Sequence, residues 1–351
     1  MDDRKLRILA AVVDAYVTTG EPVGSKAIAA LPDIQVSSAT IRNDMAVLEQ
    51  LGLLEQPHTS AGRIPTFQGY KVYIEKCMHG AALSAEERSR LDLMLSGDGE
   101  LTEDSLIQSA TTALAEITQC AAVAVNAMPK FSVISKVEII PTGKRLYVIL
   151  LITSGGSIKN KACRLEFDLN EEQLAFFTQF LTEHLHGVSV SDLSPEMFDQ
   201  LVTAMGTYMV SLGPLVHGLY ELSRDMMRQE LTVNGTRNLL TCNELDAKDI
   251  VEFMEHQDVI MPLLNDTFSG IHVTFSEDAK RENPQQTFVI GNSSMIVGRY
   301  EKDGKEAGRL GIIGPMRLNY AKVIPYLEYF TEKISNLISE KEDDDNDGRD
   351  P

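Results

Sequence analysis

The sequence predicts an α+β multidomain protein: an N-terminal winged helix-turn-helix, then an α/β sheet domain interrupted by a helical insert. Three observations predict this. Residues 1–76 run as helix, short helix, capped helix and small hairpin. The apolar period changes to two from Ser132, and a helical period returns over about 170–235 before strand patterns resume at Ile271. The 351-residue length also exceeds what one core ordinarily supports.

Leu6, Leu9, Val13, Tyr16 and Val17 stand at helical spacing, and Gly20 with Pro22 ends that first helix. A short helix follows over 25–31, with Ser25 available as its cap and Pro32 closing it. The third helix starts at Ser37 or Ser38 and stops at Gly52, where a left-handed residue is expected. On its wheel Ile41, Met45 and Leu48 share one side, with Leu51 close by. The opposite side carries Ala39, Asn43, Ala46 and Gln50, flanked by Thr40 and Arg42.

That polar side suits a DNA groove. Small alanines allow close approach and contact with a thymine methyl; Asn and Gln match adenine bidentately, and Arg matches guanine. Ser37, Ser38 and the free amides at the helix start suit a phosphate oxygen. Residues 53–56 and 63–66 read as two short strands around a wing. Gly62 provides its tight turn, and Arg63 is expected to reach the minor groove or the backbone. His58, Thr59 and Ser60 add hydrogen-bonding groups at the tip.

A net charge of −19 at first opposes a nucleic-acid partner. Its distribution removes the objection: residues 1–76 hold 8 basic and 9 acidic groups, so the acid lies elsewhere. Part of it is the run around Asp343-Asp344-Asp345, and residues 341–351 are expected to form a disordered acidic tail.

Gly80 to Ser84 marks a composition shift, so 77–100 reads as a linker with a connecting helix. Helical stretches are expected near 84–95 and 101–121. Val137, Ile139 and the run Leu146–Ile152 read as strands turning at 141–144, with a second hairpin turn at 154–157 and Cys163, Leu165 and Phe167 alternating in the next strand. Leu174, Phe177, Leu181 and Leu185, then Phe198, Leu201, Met205, Met209 and Leu212, give 170–235 a wide apolar, Met-rich face. Such a face is either the core of the insert or a surface for a second subunit. A final helix, about 320–339, carries Val323, Leu327, Phe330, Ile334 and Leu337.

Other function classes find little support. Leu146–Ile152 is the longest plainly apolar run, far short of the ~20 residues of a membrane helix. Cys77, Cys120, Cys163 and Cys242 lack a CxxC pair or an adjacent histidine pattern, so no metal, cofactor or disulfide framework is expected in what reads as a cytoplasmic, non-membrane protein. His184 and His186 point to different helix faces, Gly143-Lys144-Arg145 lacks a phosphate-loop frame, and neither GxSxG nor HExxH occurs, so catalysis is not expected.

Several runs closely resemble HrcA, the heat-inducible transcriptional repressor family of bacteria. They are Ser37-Ser38-Ala39-Thr40-Ile41-Arg42-Asn43-Asp44-Met45, Leu48-Glu49-Gln50-Leu51-Gly52-Leu53-Leu54, Gln56 through Thr66, Gly69-Tyr70-Lys71, and at the other end Gly311 through Tyr320. The resemblance implies a GAF-like sheet domain over 101–169 and 236–340, and an inserted dimerisation subdomain over 170–235. Leu174, Phe177, Leu181, Phe198 and Met205 would then lie at the interface of a homodimer. It further implies an inverted-repeat operator in double-stranded DNA upstream of chaperonin and chaperone operons, release on heat, and modulation by the GroEL chaperonin. A metabolite-responsive winged-helix factor, using the GAF-like domain as sensor, is the alternative.

Overall fold

The computed structural model describes residues 1–58, 61–78, 82–95, 103–126, 133–154, 156–205, 212–226, 229, 231–256, 260–264, 270–276 and 290–346. Asp2 caps α1 (Asp3–Thr19) by accepting from the Lys5 amide at 2.9 Å, and Gly20 ends it in the left-handed conformation, φ 72°. In α2 (Ser25–Ala29) Ser25 is the first helical residue, and Gly24, not Ser25, takes the cap position. Ser37 caps α3 (Ser38–Gln50), and Gly52 beyond it has φ 72°. Strands β1 (Leu54–Glu55) and β2 (Ile64–Pro65) pair antiparallel, Leu54 opposite Pro65. Helix α4 (Phe67–Val72) then runs into a π-helical turn, Tyr73–Cys77. This is the expected winged helix-turn-helix.

Ile8, Leu9, Val12 and Val13 of α1 pack with Ile28, Ile41, Met45 and Leu48 as one buried cluster. A charge pair fixes the crossing of α1 and α3. Asp44 is 5% exposed and accepts from Arg4 Nε at 2.8 Å and Nη2 at 3.2 Å, so its carboxylate is buried but not orphaned. Leu51 does not join this side; it is 57% exposed, because α3 ends at Gln50 and the chain turns away before it.

After α5 (Ala85–Leu95) and α6 (Glu103–Thr118) comes a five-stranded antiparallel sheet. Its strands are β3 (Ala121–Asn126), β7 (Leu231–Asn234), β8 (Ile271–Phe275), β9 (Ser293–Lys302) and β10 (Lys305–Pro315), in the order β7-β3-β10-β9-β8. One face packs against α6 and α13 (Tyr320–Asn346) through Ala122, Ala124, Ile296, Leu310, Ile312 and Leu327. The other packs against α10 (Thr236–Leu240), α11 (Ala247–Glu255) and α12 (Met261–Leu264) through Val123, Val125, Val297, Ile313, Ile250 and Phe253. Burial pushes the Cys120 thiol at the start of this sheet up to about 12, keeping it protonated. Among the described residues, no helix is long and apolar enough to cross a membrane.

The insert differs from expectation in extent. Strands β4 (Ile134–Gly143), β5 (Leu146–Thr153) and β6 (Ile158–Arg164) were expected to join the main sheet. They form a separate three-stranded antiparallel meander instead. Helices α7 (Glu171–Leu185), α8 (Pro195–Met205) and α9 (Gly213–Met226) cover one face of it. An Asn170–Gln173 capping box starts α7. The whole unit is spliced between the neighbouring strands β3 and β7, and β7 itself, inside the expected insert, belongs to the main sheet. The first turn falls at Lys144-Arg145, with Arg145 at φ 58°, rather than at 141–144.

Of the five residues expected at an interface, three are buried within the insert itself. Phe177, Leu181 and Phe198 are 0%, 1% and 5% exposed and form its own core with Ile149, Leu151 and Leu215, and Leu174 packs half-buried against them. Met205 ends α8, and its side chain lies outside the description. At the C-terminus, α13 continues to Asn346, so 341–346 are helical where a disordered tail was expected; 347–351 lie outside the described residues.

Candidate nucleic-acid interface

The outward face of α3 is built by its cap and its buried stripe. Ser37 Oγ accepts from the Thr40 amide at 3.2 Å and lies 2.9 Å from Thr40 Oγ1, so both hydroxyls are engaged at the first turn. With Ile41, Met45 and Leu48 turned inward, the 3.6-residue period leaves Ala39, Arg42, Asn43 and Gln50 exposed, with Ser38 and Ala46 half-buried beside them. Arg42 and Asn43 make no side-chain hydrogen bond or ion pair among the described residues. The helix therefore presents a cation, an amide and small side chains with their bonding capacity unspent.

The wing is held differently from the expectation. Arg63 was expected as a free cation at its tip; it stands instead at the root, beside β2. Its backbone bonds to Val23 in both directions, N to O at 2.9 Å each way, stitching the wing to the connector between α1 and α2. Its guanidinium is taken by α3: Nε and Nη2 lie 2.9 Å and 2.8 Å from Glu49 Oε2. Charge that reads as available in a linear sequence is neutralised by a carboxylate fourteen positions earlier. His58 is exposed, and its carbonyl accepts from the Ala61 amide at 2.8 Å. Thr59 and Ser60 lie outside the described residues.

Gly62 is required by proximity rather than by a left-handed turn. A Cβ there would lie 2.4 Å from the Val23 carbonyl carbon and oxygen. Gln56 Nε2 donates to the Ala61 carbonyl at 3.0 Å and braces the loop.

One candidate contact escapes the wheel. Lys26, exposed on α2, has no ion-pair partner among the described residues and faces solvent on the helix preceding α3. Its signal was available as the one cation between Arg7 and Arg42. By contrast, Arg4 and Lys5 are committed to Asp44 and Asp2, and Arg7 donates to the Asp33 carbonyl. Among the described residues of the head, Lys26, Arg42 and Lys76 are exposed without an ion-pair partner, whereas Arg63 is paired.

The Arg63–Glu49 pair gives a measurable expectation. Glu49→Gln frees the guanidinium, so non-specific DNA affinity rises, and the slope of log K against log salt steepens by about one unit. An unchanged slope in salt-dependent titration means that Arg63 reaches no phosphate in either state.

The arrangement matches known proteins over both parts of the chain. The model of the winged helix-turn-helix DNA-binding domain of the HrcA transcription repressor matches residues 2–77, and that of the HrcA protein C-terminal domain matches 104–324. The heat-inducible transcription repressor HrcA of Ruminiclostridium cellulolyticum is 32% identical over 355 residues, covering 96% of this chain and 97% of that protein. The one from Clostridium perfringens strain 13 is 31% identical over 348 residues, covering 97% and 100%. The crystal structure of a hypothetical protein aligns over 97% of this chain and 99% of its own with a TM-score of 0.67, at 23% identity, which shows a shared fold.

Proposed function

Because the chain belongs to the HrcA family of heat-inducible transcription repressors, we propose that it binds an inverted-repeat operator upstream of chaperonin and chaperone operons, as a homodimer in the bacterial cytoplasm. The observation that carries this reading is the outward face of α3, where Arg42 and Asn43 stand exposed, with no side-chain partner among the described residues, between Ala39, Ala46 and Gln50. With α3 in the major groove, Arg42 serves guanine, Asn43 and Gln50 serve adenine, and the alanines admit thymine methyls. Ser37, Ser38, Thr40 and Lys26 serve the phosphate backbone, and His58, Thr59 and Ser60 of the wing the adjacent groove. Such contacts block transcription while the fold is intact.

Dimerisation supplies the avidity that a nearly neutral head lacks. With Phe177, Leu181 and Phe198 committed to the core, the reading places the second copy on the other face of the β4-β5-β6 sheet. Among the described residues α7, α8 and α9 all pack on the opposite face, and this one carries Ile140, Val148, Leu150, Ile152, Ile158 and Ala162. Ile140 and Ile158 are 39% and 58% exposed. Leu150→Asp is expected to raise the dimer dissociation constant more than tenfold in sedimentation equilibrium, with little change in melting temperature. A variant that stays fully dimeric puts the interface elsewhere.

Heat acts on a shared core. The buried cluster of the head is continuous with that of α6, α13 and one sheet face, so warming that loosens the body also loosens the head. The GroEL chaperonin then returns unfolded repressor to the active form. The test is DNA release from a chaperonin promoter during a temperature ramp, with no small molecule added. Release that coincides with the unfolding transition, and is reversed faster with GroEL and ATP, supports the reading. Release only on addition of a metabolite, with the melting temperature shifted by ligand linkage, contradicts it.

A further inference from the structure

The head meets the body at a small set of residues that the DNA contacts do not use. Arg317, between β10 and α13, extends its guanidinium to the C-terminal end of α1: Nη1 donates to the Val17 carbonyl at 3.0 Å. Nε of the same group lies 2.5 Å from Glu244 Oε1, on the segment between α10 and α11. Three parts of the chain, about 300 positions apart at the extremes, therefore join at one side chain.

Helix α1 has no basic residue in its own last turn, and its final carbonyls carry the negative end of the helix dipole. Arg317 supplies the missing cation from the other end of the sequence. Gly20 lies beside it. That residue is left-handed at φ 72°, and a Cβ on it would lie 3.5 Å from the guanidinium carbon, in contact. Any L side chain there is strained by the backbone, while its Cβ would meet the guanidinium at ordinary contact distance.

Three residues past Arg317, Tyr320 seals the same junction. Its ring lies 5.8 Å from that of Tyr70 on α4 and 6.2 Å from that of Phe275 on β8; Tyr70 and Phe275 are 6.4 Å apart. All three are almost fully buried. The Tyr70 hydroxyl is buried without a hydrogen-bond partner among the described residues, so its ring contributes apolar packing to the junction, and Arg317 contributes a directional bond.

We propose that Arg317 is a positioning residue for operator binding: by bridging Glu244 and the end of α1 it sets the angle at which each head leaves the body, and so the half-site spacing that a dimer accepts. It touches no DNA. Two heads on a two-fold axis engage both arms of a repeat only when their separation matches the helical phase of the duplex. A head free to swivel loses this selectivity and some avidity but keeps its own affinity for one arm. The inference rests on the dimeric operator reading above.

The test uses the full chain and an inverted-repeat duplex selected by the wild-type protein from a random pool. Affinity is measured on that duplex, on versions with the spacer changed by two base pairs in either direction, and on one arm alone. Wild type is expected to show a sharp spacing optimum. Arg317→Met is expected to bind the optimal duplex about tenfold more weakly, to lose most of its penalty for altered spacing, and to bind the single arm within twofold of wild type. Glu244→Gln keeps the guanidinium and its bond to Val17, and is expected to flatten the profile in the same direction by less.

Equal losses on the single arm and the full repeat, or an unchanged spacing profile in both variants, overturn the proposal. If Arg317→Met does not fold, Glu244→Gln decides it on the same profile. A wild type with no preference for the repeat over one arm fails the dimeric operator reading and the proposal with it. A wild-type optimum that the variants retain fails the positioning role alone.

Discussion

Gly62→Ala is expected to destabilise the head by about 1–3 kcal/mol and to weaken operator binding by tenfold or more. The added methyl would lie 2.4 Å from the Val23 carbonyl and 2.7 Å from the Pro22 carbonyl carbon, both backbone atoms that no rotamer change can move. Relief requires the wing to leave the connector, which breaks the two 2.9 Å bonds between Val23 and Arg63. The root of the wing then shifts relative to α3, and the Glu49–Arg63 pair with it. Denaturant unfolding and operator titration measure the two consequences. Wild-type stability in this variant would mean that wing and connector are farther apart than this packing requires.

The second large effect separates reading from positioning. Arg42→Ala and Asn43→Ala are each expected to cost on the order of 1–3 kcal/mol on the operator and clearly less on random DNA. Neither side chain has an intramolecular partner among the described residues, so folding stability should stay within about 0.5 kcal/mol of wild type. The two readouts are therefore separable, unlike those of Gly62→Ala. Equal losses on both DNAs would make these residues backbone contacts. Lys26→Ala provides the contrast: a uniform loss across sequences and a shallower salt dependence.

The head was legible because its signals are local. Caps, left-handed glycines and the stripe of Ile41, Met45 and Leu48 each depend on residues within a turn or two. What depended on distant pairing was not legible. Strand β3 has Ala121 through Val125 buried on both faces, so it shows no period of two and merges with the end of α6. Strands β4 to β6 alternate clearly, but alternation states that a face is buried and not which layer buries it. The apolar rows of α7 and α8 were visible in the same way, and only their packing on the meander identifies Phe177 and Phe198 as core.

Charge followed the same rule. The near-neutral balance of the first 76 residues singled out the segment able to approach phosphate. It did not separate Arg63 from Arg42, because the carboxylate that occupies Arg63 arrives through the hairpin. Nor does any local pattern couple Arg317 to α1, although Gly311 through Tyr320 stood out as a motif. The family resemblance marked the segment, and the tertiary contact gives the residue a use.

Hydroxyl-radical footprinting of the protein on its own chaperonin promoter decides whether two heads engage one symmetric operator through α3. Two protected patches are expected, related by a two-fold axis and separated by whole helical turns, both lost when Arg42 and Asn43 are replaced together by Ala. Protection without symmetry, or a symmetric footprint that survives the double replacement at the same concentration, would contradict it.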